Sequence, residues 1–194
     1  MGILIDLKRA IIIKPPPPPP PGGDGKQLPV EYISQRPRNN WCWAACCVMV
    51  GKQIQIPDVS MCLLATSMHG HDCCREPGGN ECDRGAWPSD AYRLMHVTHN
   101  ADTPSPPQFS KRRLSPLELQ AQIDASLPVE VQYRWQDGFA HVALVVGYYP
   151  DRTWLVFDPL FGVKTSVSYE YICTGRGGGG EWEGTYFGFA KAAV

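Results

Sequence analysis

The chain has 194 residues, of which 43% are hydrophobic, and this length is enough for one domain with a sizeable core. Eighteen basic and nineteen acidic side chains give a formal net charge of −1, which argues against a general nucleic-acid-binding protein, because such proteins carry a basic excess. No stretch of the sequence reaches the roughly 18 consecutive apolar residues of a membrane-spanning helix.

The first 25 residues differ in composition from the rest of the chain. Seven consecutive prolines, residues 15–21, precede a Gly-rich stretch, and such a run favours the extended polyproline II conformation. We therefore predict a flexible segment with a polyproline linker over residues 1–25 and a single folded domain over residues 26–194. Charged side chains interrupt the apolar residues at the start, and no small-residue cleavage site follows, so this stretch lacks the pattern of a secretory signal peptide.

The first predicted helix covers residues 42–50 and begins at a cysteine, Cys42. A thiol at a helix N-terminus lies near the positive end of the helix dipole and near unpaired backbone N–H groups. Both favour the thiolate, which is the nucleophilic form of cysteine. Gln35, seven residues upstream, can fold back to offer an amide N–H beside the sulfur. Cysteine is also among the most buried residue types, and we expect Cys46 and Cys47 to be buried without a chemical role.

The middle of the chain combines two further predicted helices with a cysteine-rich loop. The helices cover residues 57–68, with Asp58 as the candidate N-cap, and residues 88–96, with Ser89 or Asp90 near the start. The side chains in this region that could bind a metal ion are those of Cys62, His69, His71, Cys73, Cys74 and Cys82. Their spacing fits structural zinc sites poorly, so we predict no metal site and favour disulfides, although the sequence does not choose among the pairings. Bridged cysteines would place the protein in an oxidising compartment at some stage, and free ones in the cytosol.

Strands dominate the second half of the chain. The predicted elements are a proline-rich loop over residues 98–110, a helix from Ser115 to about residue 126, and strands over residues 128–135, 141–149, 154–157, 163–171 and 182–190. A flexible Gly-rich stretch is predicted at residues 175–180. A Pro/Asp turn joins the second and third of these strands, so they form a β-hairpin. Helices first and strands later predict an α+β fold.

His141 opens one strand of this hairpin and Asp158 follows the other. In an antiparallel pair these two positions fall at the same end of the ladder. A carboxylate there can accept a hydrogen bond from one imidazole nitrogen while the other nitrogen faces a thiol, which is the arrangement that a nucleophilic cysteine needs. Taken singly, a strand-end histidine and an aspartate before a proline are ordinary structural features. Their order along the chain after Gln35 and Cys42 makes the combination specific.

The combination resembles papain-like cysteine peptidases, in particular the bacterial branch with staphopain-like enzymes, plant-pathogen effector proteases and bacteriocin-leader peptidases. Similar domains occur as toxin modules of polymorphic bacterial toxins. The residues that carry the resemblance are Gln35, the stretch Trp41-Cys42-Trp43-Ala44-Ala45, His141 with the apolar strand after it, and Asp158-Pro159. The resemblance extends over about residues 28–191. It implies a two-lobe papain fold, with an N-terminal helical lobe that carries the nucleophile and a C-terminal antiparallel β-sheet lobe.

The resemblance also implies a role for each residue. By position, Cys42 is the nucleophile, His141 the general acid and base, Asp158 the group that orients the imidazole, and Gln35 the oxyanion donor. Many papain-like enzymes carry asparagine at the third position, whereas Asp158 matches the bacterial branch. No cofactor is implied. Three aromatic side chains are candidates for the wall of the substrate cleft: Trp43, Trp135 and Phe139.

We interpret the chain as a cysteine peptidase that cleaves a protein or peptide substrate through a Cys-His-Asp triad and a thioester acyl-enzyme. It would act as a bacterial effector or toxin, secreted or delivered into a target cell without a signal peptide. A papain-fold deamidase or transglutaminase-like toxin would use the same three groups and the same thioester, so this alternative stays open. A third interpretation is a catalytically weak peptide-binding module. An immunity or inhibitor protein that occupies the cleft is a possible partner.

Overall fold

The computed structural model of the protein describes residues 24–75, 81–99, 107, 109–175 and 179–191, so the predicted polyproline linker lies outside the described residues. The helices in this part of the chain are α1 (Cys42–Gln53), α2 (Met61–His69), α3 (Pro88–Leu94), α4 (Pro116–Asp124) and α5 (Tyr169–Thr174). The strands are β1 (Lys26–Gln27), β2 (Val97–His99), β3 (Val129–Trp135), β4 (Ala140–Tyr148), β5 (Trp154–Asp158), β6 (Gly162–Val167), β7 (Gly180–Tyr186) and β8 (Phe189–Lys191).

An antiparallel sheet of six strands organises the molecule. Five strands lie in the order β6-β5-β4-β3-β7, and β1 pairs with the last residues of β4. The predicted hairpin is present as β4 and β5, in which Leu144 lies opposite Phe157. Strands β2 and β8 form a separate two-stranded sheet. Helices combined with an antiparallel sheet confirm the predicted α+β class.

The large sheet is covered on both faces, because alternate residues of β4 belong to two different apolar clusters. Val142, Leu144 and Val146 pack with residues of α1, α2 and α3. Ala143 and Val145 pack on the other face, with residues of α4 and α5. Burial of apolar side chains from both faces is the main stabilising contribution to such a layered fold. The sheet therefore holds α1 in a fixed place relative to the ends of β4 and β5.

Helix α1 is buried along nearly its whole length. Every residue from position 43 to position 51 is buried, and Cys46 and Cys47 are fully buried as predicted. The run is rich in small and unbranched apolar residues, which favour a helix that can approach the sheet closely. Cys42 is the exception at the N-terminal end, since its side chain is partly exposed.

Several predicted boundaries differ from the structure. Helix α2 begins at Met61 rather than at residue 57, because Asp58 has a left-handed φ of 53° and the Ser60 hydroxyl caps the helix instead. The strand predicted over residues 163–171 ends at Val167, where Ser168 caps α5. The last predicted strand is divided into β7 and β8 by a turn at Gly188, whose φ is 68°.

Two disulfides join the loop between α2 and α3 to itself and to α2. They are Cys62–Cys74 and Cys73–Cys82, which confirms the preference for disulfides. All four sulfur atoms are thereby bonded and do not offer thiolate ligands to a metal ion. Within the described ranges, no helix has the length and apolar character needed to cross a membrane.

Candidate active site

Cys42 is the first residue of α1. The N-cap residue, Trp41, accepts no hydrogen bond with its side chain, so the first turn of the helix receives no side-chain cap from this position. The first backbone N–H groups of any α-helix lack intrahelical partners and attract negative charge. The thiol therefore lies where the helix favours a thiolate, at the N-terminal end of α1, and it is partly exposed there.

His141 and Asp158 lie side by side at one end of the β4–β5 ladder. The distance between His141 Nε2 and Asp158 Oδ1 is 2.9 Å, and both residues are 5% exposed. The same carboxylate oxygen accepts backbone N–H groups from Leu160 at 2.9 Å and from Phe161 at 3.0 Å. The turn after β5 thus fixes the carboxylate, and the carboxylate fixes the orientation of the imidazole.

The surroundings of His141 stabilise its protonated form. Burial disfavours the charged ring, but hydrogen bonds to Asp158 and Cys42 and the negative charges of the same two groups outweigh it and raise the pKa of His141 to about 10. Because Nε2 is bonded to Asp158, Nδ1 is the ring nitrogen left for the Cys42 sulfur. The imidazolium is therefore the favoured form of the His141 ring at neutral pH.

A cavity of about 590 Å³ opens beside Cys42 and His141. Trp43, Trp135 and Phe139, the three aromatic residues predicted from the sequence, all lie on its wall. The other lining residues are Asn39, Asn40, Gly85, Ala86, Trp87, Pro88, Gln132, Ala140, Val142 and Leu160. Phe139 is 67% exposed and Trp87 54% exposed, so the cavity presents large apolar surfaces to solvent. Such a combination of apolar walls and a few polar groups is typical of ligand sites.

Gln35 lies behind the cavity rather than in its wall. Its side chain is fully buried, and Nε2 donates to the carbonyl groups of Asn39 at 2.6 Å and Arg38 at 3.2 Å. Its backbone N–H donates to the carbonyl of Pro159 at 3.0 Å. Both amide protons are therefore engaged, and a substrate oxygen would have to displace one of the carbonyl groups. The oxyanion role of Gln35 stays a prediction, and the contacts seen tie the loop before Cys42 to the residue after Asp158.

The segment that follows the second disulfide contributes to the site without a clear pattern in the sequence. Gly85, Ala86 and Trp87 line the cavity, and Asp83 contacts the loop before Cys42. Their position depends on the pairing of Cys73 with Cys82, which the sequence does not specify. An aspartate directly after a cysteine and two residues before a glycine was the available signal, and it is a weak one.

Comparison with known protein families agrees with this chemistry. A thiol at a helix start beside a histidine–aspartate pair is the arrangement expected of a papain-like thiol protease. The family described as papain-like cysteine protease AvrRpt2 matches residues 24–172. Since the match covers more than half of the chain, the protein belongs to that family and is a cysteine protease. This confirms the resemblance inferred from the sequence. No curated protein matches the chain.

Proposed function

We propose that the protein hydrolyses peptide bonds of a protein substrate with Cys42 as nucleophile, His141 as general acid and base, and Asp158 as the orienting carboxylate. The observation that carries the proposal is the buried 2.9 Å contact between His141 Nε2 and Asp158 Oδ1, beside a partly exposed thiol at the same cavity. Membership of a cysteine protease family supports the chemistry. The role of each residue is our assignment.

In the proposed reaction, His141 holds the proton of Cys42 on Nδ1. The thiolate attacks the substrate carbonyl carbon, and the oxyanion that forms accepts the backbone N–H of Cys42, a donor worth on the order of 3 kcal/mol. Gln35 Nε2 would be the second donor after it exchanges a backbone carbonyl for the oxyanion. His141 then protonates the leaving amine. Water, deprotonated by His141, cleaves the thioester and regenerates the thiol.

We also propose that the cleft lies between two lobes, as in papain-like enzymes. Helices α1, α2 and α3 share one apolar cluster and would form the lobe that carries Cys42. The ends of β4 and β5 carry His141 and Asp158 and would form the opposing wall. The hydrogen bond from the Gln35 backbone to Pro159 supports a fixed spacing between the two.

In its biological setting we propose a bacterial effector or toxin that acts in a target cell. The family match and the resemblance to plant-pathogen effector proteases support this assignment. The two disulfides support passage through an oxidising environment, because thiols stay reduced in the cytosol. If the target is another bacterium, an immunity protein that fills the cavity should accompany the enzyme.

The test is a proteome-wide map of new protein N-termini in cells that express the wild type or Cys42→Ala. We expect new N-termini only with the wild type. Cleavage by Cys42→Ala at the wild-type rate would refute the role of Cys42. A mass increase of about one unit in a target protein without new N-termini would instead indicate deamidation through the same thioester. Failure of iodoacetamide to label Cys42 at neutral pH would favour the peptide-binding alternative.

A further inference from the structure

Three consecutive residues, beginning with the second cysteine of the Cys73–Cys82 disulfide, contact the loop that precedes Cys42 and the first turn of α1. We call Cys82, Asp83 and Arg84 the clamp segment. The Asp83 carboxylate accepts the backbone N–H of Asn39, at 3.0 Å to Oδ1 and 3.1 Å to Oδ2, and the backbone N–H of Asn40, at 2.9 Å to Oδ1. Asn39 and Asn40 lie three and two residues before Cys42, respectively. A half-buried carboxylate thus holds the backbone immediately upstream of the candidate nucleophile.

The backbone carbonyls of the clamp segment complete the contact. The carbonyl of Asp83 accepts the Asn40 side chain at 2.8 Å. The carbonyl of Cys82 accepts the Trp41 indole N–H at 2.6 Å, and that of Arg84 accepts the Trp43 indole N–H at 3.1 Å. These bonds reach residues on both sides of Cys42, so the clamp segment holds the first turn of α1 as well as the loop before it.

The clamp segment is itself anchored. Cys82 is bonded to Cys73, and both residues are buried. The backbone N–H of Cys73 donates to the Thr66 hydroxyl on α2 at 3.0 Å. The anchoring therefore runs from α2 through one disulfide to Asp83, and from Asp83 to the loop before Cys42.

This connection matters because the reaction depends on small distances. The sulfur must lie within hydrogen-bonding reach of His141 Nδ1, and a displacement of about 1 Å can cost on the order of 100-fold in rate. Trp41 supplies no side-chain cap that would fix the start of α1 from within the helix. The loop also carries the carbonyl groups that hold Gln35 Nε2.

We propose that Asp83 is a positioning residue that sets the place of Cys42 relative to His141, acting through the backbone N–H groups of Asn39 and Asn40. The proposal rests on the proposed function, in which these two side chains form the nucleophile pair. Asp83 touches no reacting atom. Its effect is expected on the reactivity of the thiol and not only on the stability of the fold.

The test measures alkylation of Cys42 by iodoacetamide as a function of pH, read by peptide mass spectrometry. Four variants of the full chain are compared with the wild type: Asp83→Asn, Asp83→Glu, Asp83→Ala and Asp72→Ala. Asp83→Asn keeps the Oδ1 acceptor, so alkylation should stay within about 3-fold of the wild type. Asp83→Ala removes the acceptor and Asp83→Glu displaces it. We expect alkylation at pH 7 to slow about 10-fold or more in Asp83→Ala and by a smaller factor in Asp83→Glu. In both variants the midpoint of the alkylation rate against pH should move upward.

Asp72→Ala is the matched control. Asp72 lies in the same disulfide-bonded loop, and its carboxylate accepts the backbone N–H of Arg75, a residue of that loop and not of the loop before Cys42. It should keep the wild-type rate and pH midpoint. A wild-type rate and midpoint in Asp83→Ala would overturn the proposal, as would an equal loss in Asp72→Ala. If Asp83→Ala fails to fold, wild-type behaviour of Asp83→Glu combined with a loss in Asp83→Asn would show that charge, not position, matters.

The Asp83 experiment distinguishes failure of the positioning role from failure of the proposed function. Alkylation needs no protein substrate, so the effect of Asp83 is measured whether or not a target has been found. If Cys42→Ala still cleaves proteins, the catalytic assignment fails irrespective of the Asp83 series. If Cys42 is required but the Asp83 variants alkylate as the wild type does, only the positioning role fails.

Discussion

Asp158 is the neighbour that holds Nε2 of the His141 ring. Asp158 bonds to Nε2 and leaves Nδ1 for Cys42, and it is itself held by two backbone N–H groups of the following turn. An asparagine here, as at the third position of many papain-like enzymes, keeps the shape, but its amide can rotate to present an N–H to the ring, which favours the wrong imidazole tautomer. The negative charge that helps to raise the pKa of His141 is lost as well.

We therefore expect Asp158→Asn to lower kcat by about 10²- to 10⁴-fold with a smaller change in KM. The pKa of His141 should fall toward that of an ordinary histidine, because the hydrogen bond and the charge of Asp158 both help to raise it. Asp151→Asn, in the exposed turn between the same two strands, is the control and should retain activity. A wild-type kcat in Asp158→Asn would contradict the orienting role.

Glu130 is a buried acid of a different kind. It lies on β3 with no exposed surface and accepts a hydrogen bond from the hydroxyl of Tyr92, while its other oxygen has no partner among the described residues. Burial raises the pKa of Glu130 to about 8, and the bond from Tyr92 only partly opposes this. The folded protein therefore keeps a proton here that the unfolded chain releases above a pH of about 4.5.

The sign of the resulting pH dependence follows from proton binding. Where the folded state holds more protons than the unfolded state, the free energy of unfolding decreases as pH rises. For Glu130 this window runs from about pH 4.5 to about pH 8. We expect Glu130→Gln to reduce the loss of stability between pH 5 and pH 8 by on the order of 2 kcal/mol, measured by urea unfolding. The exposed Glu170→Gln controls for removal of one carboxyl group. Identical pH slopes in wild type and Glu130→Gln would refute the argument.

The two disulfides close loops of similar length but have different neighbours. Cys73–Cys82 spans 9 positions of sequence and anchors the clamp segment, whereas Cys62–Cys74 spans 12 positions and does not include it. Loop-closure entropy predicts a similar stabilisation from each, about 2–4 kcal/mol. Their effects on the candidate nucleophile should differ, because only the first leads directly to Asp83.

We expect the double substitution Cys73→Ser with Cys82→Ser to lower both the melting temperature and the rate of Cys42 alkylation. Cys62→Ser with Cys74→Ser should lower the melting temperature by a similar amount and leave alkylation within about 3-fold of the wild type, since neither cysteine is bonded to the clamp segment. Calorimetry and peptide mass spectrometry measure the two effects. Equal losses of alkylation in both pairs would show that the loop acts only through global stability.

Elements with strong local signals were predictable from the sequence. Helix α4 combines a capping box, in which Ser115 and Glu118 bond reciprocally, with a proline at its first position, and its start was predicted correctly. Helix α5 was missed because six residues after Ser168 carry too little periodicity to distinguish a helix from an extended strand. Strand β1, with two residues, exists only through pairing with β4, which no local pattern reveals.

The same distinction applies to the candidate site. His141 and Asp158 were expected to meet because hairpin geometry alone brings the start of β4 to the end of β5. The direction of the Gln35 amide depends on carbonyl groups of a loop, and the position of Asp83 depends on a disulfide partner nine residues away. Long-range pairing of this kind is determined by the whole fold and leaves little trace in one sequence.

The contribution of strand β1 to the large sheet can be tested at Gly147, the residue of β4 that pairs with Gln27. A β-carbon at Gly147 would lie 2.8 Å from the Lys26 carbonyl oxygen and 3.1 Å from Gln27 Cα, so β1 must move to accept it. Lys26 also bonds to the Asp124 carbonyl at the end of α4, which links β1 to a further element.

We expect Gly147→Ala to destabilise the protein by about 1–3 kcal/mol, visible as a lower melting temperature. Gly85→Ala adds the same methyl group where nothing lies within 4 Å and should melt close to the wild type. Equal melting of the two variants would mean that β1 contributes nothing to the stability of the sheet.

The positions of the tryptophans make intrinsic fluorescence a probe of whether the cavity is occupied. Of the six tryptophans, Trp41, Trp43, Trp154 and Trp182 are at most 3% exposed. The other two, Trp87 and Trp135, are more exposed and both line the cavity. A dissolved quencher such as iodide should therefore quench mainly the fluorescence of Trp87 and Trp135. Any peptide or inhibitor that occupies the cavity should shield these two indoles, so occupancy can be titrated without a label and before a natural target has been identified.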